Sequence, residues 1–272
     1  MRSGSNLACV CLAIASLIFT APGFAEIKPE DIVGIWLLDD NSGEVATDSS
    51  GNVNDGEIFG AAWIGGKFGK ALEFDGVDDH VDMLEVNGIP TGSDPRSITV
   101  WFYTEISGAT YKNNISSIVQ QAEDSNGAGQ FFCIAPRYYP DTATESIGLW
   151  GNSRNVLGAD GEVELNTWNF VAVTYDGSTT KVYINGEERM SGTPDLNTNG
   201  AHKNNFYIAR QNDSNYNGVF NGIVDDIGFF NRALTDDEIE EVMDQGLARA
   251  ALGLAAVSPS GKLAATWSSL RN

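Results

Sequence analysis

The sequence predicts an all-β chain, folded as a two-sheet antiparallel sandwich of the jelly-roll type with one short helix near its C-terminus. Three observations carry that expectation. Runs rich in Val, Ile, Phe and Trp recur every 8 to 12 residues or so (about one strand and one turn each), bounded by Gly, Asn, Asp or Ser. Glycine reaches 30 of 272 residues while charged residues are only 19%, which excludes both a disordered acidic chain and a helix-rich bundle. A single segment, Asp236 to Gln245, has the start, the stop and the periodicity of a helix.

Residues 1–25 stand apart from the fold. Arg2 precedes the apolar stretch Leu7 to Phe19, and Ala21-Pro22-Gly23-Phe24-Ala25 offers small residues before a cut after Ala25. This pattern is that of a secretory signal peptide, so the chain is expected to be secreted or extracytoplasmic. The stretch is shorter than the roughly 20 apolar residues that a transmembrane helix needs. Cys9 and Cys11 lie within it, which leaves Cys133 as the one cysteine of the remainder, and no intrachain disulfide can form there. Cys133 sits in the apolar run Phe131-Phe132-Cys133-Ile134 and reads as a buried, inert thiol.

Strands are expected over Ile32–Leu38, Ala71–Phe74, Ser97–Glu105, Ile115–Gln121, Gln130–Ala135 and Ser146–Trp150. A three-stranded meander follows: Trp168–Tyr175, the turn Asp176-Gly177-Ser178-Thr179, Lys181–Ile184, the turn Asn185-Gly186, and Glu187–Ser191. Asn-Gly between strand-like runs favours a type I′ hairpin, because both central residues need positive φ. Phe206–Ala209 and Phe220–Phe230 complete the strands, and Trp36, Trp101 and Trp168 read as core residues. In the helix, Thr235-Asp236-Asp237-Glu238 is a capping box, Gly246 is the stop, and Ile239, Val242 and Met243 form the apolar stripe. Its acids read as cap and solvated face. Residues 247–272 form a tail, with a short helix and a loop as its expected content.

Several of these segments carry a resemblance. They are Gly34-Ile35-Trp36-Leu37-Leu38-Asp39, Asp48-Ser49-Ser50-Gly51-Asn52-Val53-Asn54-Asp55-Gly56 and Gly69-Lys70-Ala71-Leu72-Glu73-Phe74-Asp75-Gly76-Val77-Asp78-Asp79-His80-Val81. Trp168-Asn169-Phe170-Val171-Ala172-Val173-Thr174-Tyr175 and Gly222-Ile223-Val224-Asp225-Asp226-Ile227-Gly228 continue the series in order. Together they resemble LamG-like jelly-roll domains of the laminin G and concanavalin A-like kind. The resemblance runs from about Ile32 to Gly246, so a single domain over residues 26–246 is expected.

With 37 acidic against 16 basic residues, the formal charge is -21, which sets the chain against phosphate backbones and anionic lipid surfaces. Nucleic acid and membrane insertion are therefore excluded as expected partners. Glycosidases on this general fold carry Glu-x-Asp-x-(x)-Glu on one strand, and Glu73-Phe74-Asp75-Gly76-Val77-Asp78 is the nearest match. It departs from the pattern in two ways. Asp78 replaces the longer Glu, and Gly76 to Asp79 reads as a turn that breaks the alternation. No catalytic residue is therefore expected. With two histidines, His80 and His202, a zinc site is not expected either.

A structural calcium ion is expected, because a hard cation takes oxygens from carboxylates and backbone carbonyls. The resemblance implies Asp225 as a ligand, with carbonyls near Val33 and Gly76. Asp48, Ser50, Asn52 and Asn54 alternate like a calcium loop, but Gly51 is misplaced and Phe59 stands at the twelfth position, so a turn tied by Asx hydrogen bonds is expected there. Sugar recognition needs a flat aromatic face and fixed polar groups, which points to the loop residues Tyr139, Trp150, Asn152, Arg210 and Tyr216. The expected function is a secreted, non-catalytic binding module for carbohydrate or an extracellular partner. The alternatives are a glycoside hydrolase acting on a polysaccharide and a structural or adhesion protein with no small ligand.

Overall fold

The computed structural model describes residues 26–105, 117–121, 129–130, 132–139, 144–151, 153–157, 163–198, 204–210 and 219–254. Two eight-stranded antiparallel sheets face each other. The first contains β1 (Ile32–Trp36), β4 (Ala62–Gly65), β5 (Lys70–Asp75), β7 (Arg96–Tyr103), β12 (Trp168–Tyr175), β13 (Thr180–Ile184), β14 (Glu187–Gly192) and β16 (Asn221–Phe230). The second contains β2 (Val45–Ala46), β3 (Gly56–Phe59), β6 (His80–Met83), β8 (Val119–Gln121), β9 (Phe132–Tyr139), β10 (Thr144–Trp150), β11 (Val156–Leu157) and β15 (Phe206–Ile208). The sandwich and its helix are as expected. The strands β2, β3, β4, β6 and β11 are additions: each is two to four residues long, too short for an apolar alternation to declare itself.

The inward side chains of both sheets form the main core. Trp36 stacks on Phe206 at 5.1 Å, Phe206 lies 5.3 Å from Phe229, and the Trp36 indole N–H donates to the Asn54 carbonyl at 2.9 Å. A second apolar cluster covers the outer face of the first sheet, where Trp101, Phe170, Ala172, Tyr183 and Phe230 meet Ile239 and Val242 of α1 (Asp236–Gln245). Trp101 thus packs outside the sandwich rather than between its sheets, and Trp168 is only half-buried, 6.0 Å from Tyr103. The capping box forms as expected: the Glu238 amide donates to Thr235 Oγ1, and the Thr235 amide donates to Glu238 Oε2. Glu238 is buried and also binds Arg232, so this acid belongs to an ion pair and not to the solvated face. After Gly246 a second short helix, α2 (Leu247–Ala250), packs on the same outer face; residues 255–272 of the tail lie outside the described residues.

β16 is the organising strand. Its first half pairs with β5 and its second half with β1, while β7 runs along the other side. The change of partner occurs at a bulge between Asp225 and Gly228, where Asp226 adopts φ +51°. A regular strand would turn Asp226 into the core. The bulge instead puts both acids on the outer face, where Asp225 accepts from the Phe68 amide and Asp226 from the Leu247 amide.

Candidate functional site

The outer face of the second sheet carries a transverse row of side chains. The register places Trp150 opposite Cys133, Cys133 opposite Gln120, Gln120 opposite Tyr207, Tyr207 opposite Asp82, and Asp82 opposite Glu57. Residues facing each other across antiparallel strands share a face, and five strand spacings give a row of roughly 24 Å. Their neighbours Leu149, Ile134, Val119, Phe206 and Val81 point the other way into the main core, which fixes the row outward.

At one end of the row Trp150 packs on Cys133 and Ala135. The Cys133 thiol is buried, pushed up to about 12 by desolvation against a hydrogen bond to Ser117, and is the inert group that was expected. At the other end Arg210 lies over the Tyr207 ring at 5.1 Å and donates from Nη1 to both Asp82 oxygens at 3.1 Å. Asn205 Nδ2 donates to the Tyr207 hydroxyl at 2.8 Å. His80 Nε2 stands 3.8 Å from Asp82, and the His80 ring stacks on Phe59 at 4.7 Å.

Of the ligand residues expected from the loops, Arg210 and Trp150 thus share one sheet face, at opposite ends of the row. Tyr139 ends β9, and its side chain lies outside the described residues, as do Asn152 and Tyr216. Phe59, His80, Asp82 and Tyr207 were missed. The signal for β6 was the short alternation His80-Val81-Asp82-Met83, hidden by the turn-like run Gly76 to Asp79 before it.

The outer face of the first sheet holds Glu73 and Asp75, the nearest match to the glycosidase pattern, and Asp225, the expected calcium ligand. Ala62, Glu73, Ile223, Tyr103 and Trp168 lie in one register row, and a cleft of about 420 Å³ opens there, lined by Glu73, Asp75, Asp79, Tyr103, Glu105 and Asn221. β5 ends at Asp75 and the chain turns at Gly76, φ +74°, so Asp78 leaves the strand that carries Glu73 and Asp75. Asp75, Asp78 and Asp79 bring oxygens within 4.8 Å of one another, while the Asp75 amide donates to Asp79 and the Val77 amide to Asp75. These are the bonds of a turn closed by its own carboxylates.

The set Asp225, Val33 and Gly76 is not brought together. Gly76 lies against Asn221 at the start of β16, whereas Val33 lies beside Phe229 and Phe230 at its end, about 30 Å away at the rise of an extended strand. The Val33 carbonyl accepts from the side-chain amides of Asn52 and Asn54. These three residues therefore do not fit one calcium ion. The turn at Asp48 closes by Asx bonds as expected: its carboxylate accepts from the amides of Ile35, Ser50 and Asn54. Asp225 Oδ2 holds the Phe68 amide, and its buried Oδ1 has no hydrogen-bond partner among the described residues. Burial, and next the charge of Asp226, hold the Asp225 carboxyl well above the usual carboxylate range. Burial likewise raises Asp226 to about 7 against the lowering effect of the Leu247 amide.

Residues 74–240 match a family model described as the concanavalin A-like lectin/glucanases superfamily. A curated relative, sialidase B of Streptococcus pneumoniae serotype 4, is 29% identical over 154 residues, which are 54% of this chain and 20% of that protein. The chain thus spans about a fifth of the length of that relative. Among solved structures, domain 4 of a GH43 extracellular arabinanase from Geobacillus stearothermophilus, in complex with arabinotriose, is similar at TM-score 0.60 and 21% identity, over 79% of this chain and 98% of that one. Trypanosoma rangeli sialidase is similar at TM-score 0.58 and 16% identity, over 78% and 32%. The binding domain of Paraclostridial mosquitocidal protein 1 is similar at TM-score 0.53 and 15% identity, over 79% and 52%.

Proposed function

The chain belongs to the concanavalin A-like lectin/glucanase superfamily, and from that premise we propose that it is a secreted, non-catalytic carbohydrate-binding domain that holds its glycan on the outer face of the second sheet. The observation that carries this reading is the end of the row at Asp82 and Glu57, where Arg210 lies over the buried Tyr207 ring and pairs with Asp82 beside the stacked Phe59 and His80; the middle of the row, Cys133, Gln120 and Tyr207, is buried. Aromatic faces with a few fixed polar groups are the usual lining of a sugar site. The arabinotriose in the similar arabinanase domain supports a sugar ligand, and the match to sialidases agrees with a module attached to carbohydrate-active proteins. Secretion rests on the leader-like residues 1–25, which lie outside the described residues; among those described, no helix is long and apolar enough to cross a membrane.

The non-catalytic part of the reading rests on the turn at Gly76, which separates Asp78 from the strand bearing Glu73 and Asp75. An array of glycans and purified matrix proteins tests the whole. A defined set of glycans is expected to bind and to be recovered uncleaved. Cleavage of a bound glycan, abolished by Glu73→Gln, would overturn the non-catalytic assignment, and binding to matrix proteins with every glycan blank would overturn the carbohydrate one.

A further inference from the structure

We propose that the sugar is gripped where β3, β6 and β15 meet, by the strip Phe59, His80, Asp82 and Arg210, and that this strip takes an uncharged saccharide; the inference rests on the carbohydrate-binding reading above. Phe59 is the one aromatic among the exposed large apolar side chains of the described residues, with 39% of its surface accessible. Cross-strand pairing with His80 and the ring stack fix it in place on the outer face. His80 Nδ1 lies 2.6 Å from the Asp78 carbonyl and donates to it, which turns Nε2 toward Asp82 at 3.8 Å. Asp82 is held in turn by Arg210.

An apolar ring, an imidazole, a carboxylate and a guanidinium thus run contiguously beside one another, each side chain oriented by its neighbour. This matches a pyranose or furanose ring, which offers a C–H face to an aromatic surface and hydroxyls to charged hydrogen-bonding partners. The charge class follows from the same contacts. Arg210 is already paired with Asp82, and Glu57 stands directly opposite Asp82 in register, so the strip carries two carboxylates against one guanidinium. A uronate, sialate or sulfate would meet those two carboxylates and a guanidinium whose charge Asp82 already balances, on a chain of formal charge -21.

The test is a panel of neutral gluco-, manno-, galacto-, xylo- and arabino-oligosaccharides beside sialylated, uronate and sulfated ones, followed by titration of the best binder into wild type, Phe59→Ala and Trp150→Ala. Neutral members are expected to bind and acidic ones not, and Phe59→Ala is expected to weaken binding about tenfold while the domain stays folded, its far-UV spectrum unchanged. Trp150→Ala is expected to weaken it by less than about threefold. Preference for acidic glycans, or full affinity in Phe59→Ala, would overturn the strip while leaving the carbohydrate reading intact. A wild type blank on every glycan would overturn both.

Discussion

Replacing Arg96 with methionine is expected to cost about 2–4 kcal/mol of folding stability, because buried neutral acceptors lose the charged donor that joins them. Arg96 starts β7 and points between the sheets with 0% of its surface exposed. Among the described residues no carboxylate oxygen bonds it. Its Nη1 donates to the Pro90 carbonyl, to Gln121 Oε1 at 2.8 Å and to Thr198 Oγ1 at 2.6 Å. Its Nη2 donates to the carbonyls of Gly92 and Asp94, and Nε donates to Asp94 as well. Desolvation pushes the guanidinium down to about 10, with Asp94 and Tyr175 opposing. One side chain therefore ties the first sheet to Gln121 of the second and to two loops. Methionine fills much of the volume but takes the guanidinium donors from the Asp94 carbonyl and from Gln121 Oε1, while the Pro90 and Gly92 carbonyls keep Gln121 Nε2 and the Thr198 amide. Lysine keeps the charge but has no planar fork, so Arg96→Lys is also expected to be strongly destabilised. Urea unfolding measures both; a loss below about 1 kcal/mol for Arg96→Met would contradict this role.

Folding stability is expected to fall as pH rises from about 4 to about 8, and Asp226→Asn is expected to flatten that fall. Asp226 titrates near 7 in the fold, above its ordinary 3.8, because burial disfavours its charge. A raised carboxylate stabilises the fold fully below its unfolded pKa, and that contribution is lost as pH climbs through the folded value. The three-unit span sets an upper bound of about 4 kcal/mol, and Asp225, also raised, adds in the same direction. Asp31 and Glu238, lowered overall despite their own desolvation by hydrogen bonds to Arg232, act with the opposite sign, but only below about pH 4. Asparagine tolerates φ +51° and keeps an acceptor for the Leu247 amide, so Asp226→Asn should be more stable than wild type at pH 8, by about 1–4 kcal/mol. Chemical unfolding at a series of pH values reads this directly. Stability that rises with pH across the window, or an Asn variant that follows the wild-type curve, would contradict the raised carboxyl.

The elements that sequence reasoning reached were those written in local residues. Asn185-Gly186 turns the meander with both φ values positive, 50° and 84°, and Thr235 with Glu238 closes the helix start as a capping box. What escaped it depends on partners distant in the chain. Asp82 becomes part of a site only through Arg210, 128 residues on, and Phe59 only through its stack on His80 across two strands. The run Ile223-Val224-Asp225-Asp226-Ile227 breaks the period of two, but only the strand pairing shows that a bulge there puts both acids on one face. The same register undid the calcium set, because Gly76 and Val33 meet opposite ends of β16. Trp150 and Arg210 were legible as polar-aromatic loop residues, but that they lie on one sheet face came only from the strand order.

Amide chemical-shift mapping of the full chain, with the glycan selected by the array, decides which sheet face holds the sugar. The largest shifts are expected at Phe59, His80, Asp82, Tyr207 and Arg210, with residues 221–225 and the acid-lined cleft beside them unmoved. Shifts concentrated instead at Glu73, Asp75, Tyr103 and Asn221 would place the ligand on the first sheet and contradict the account.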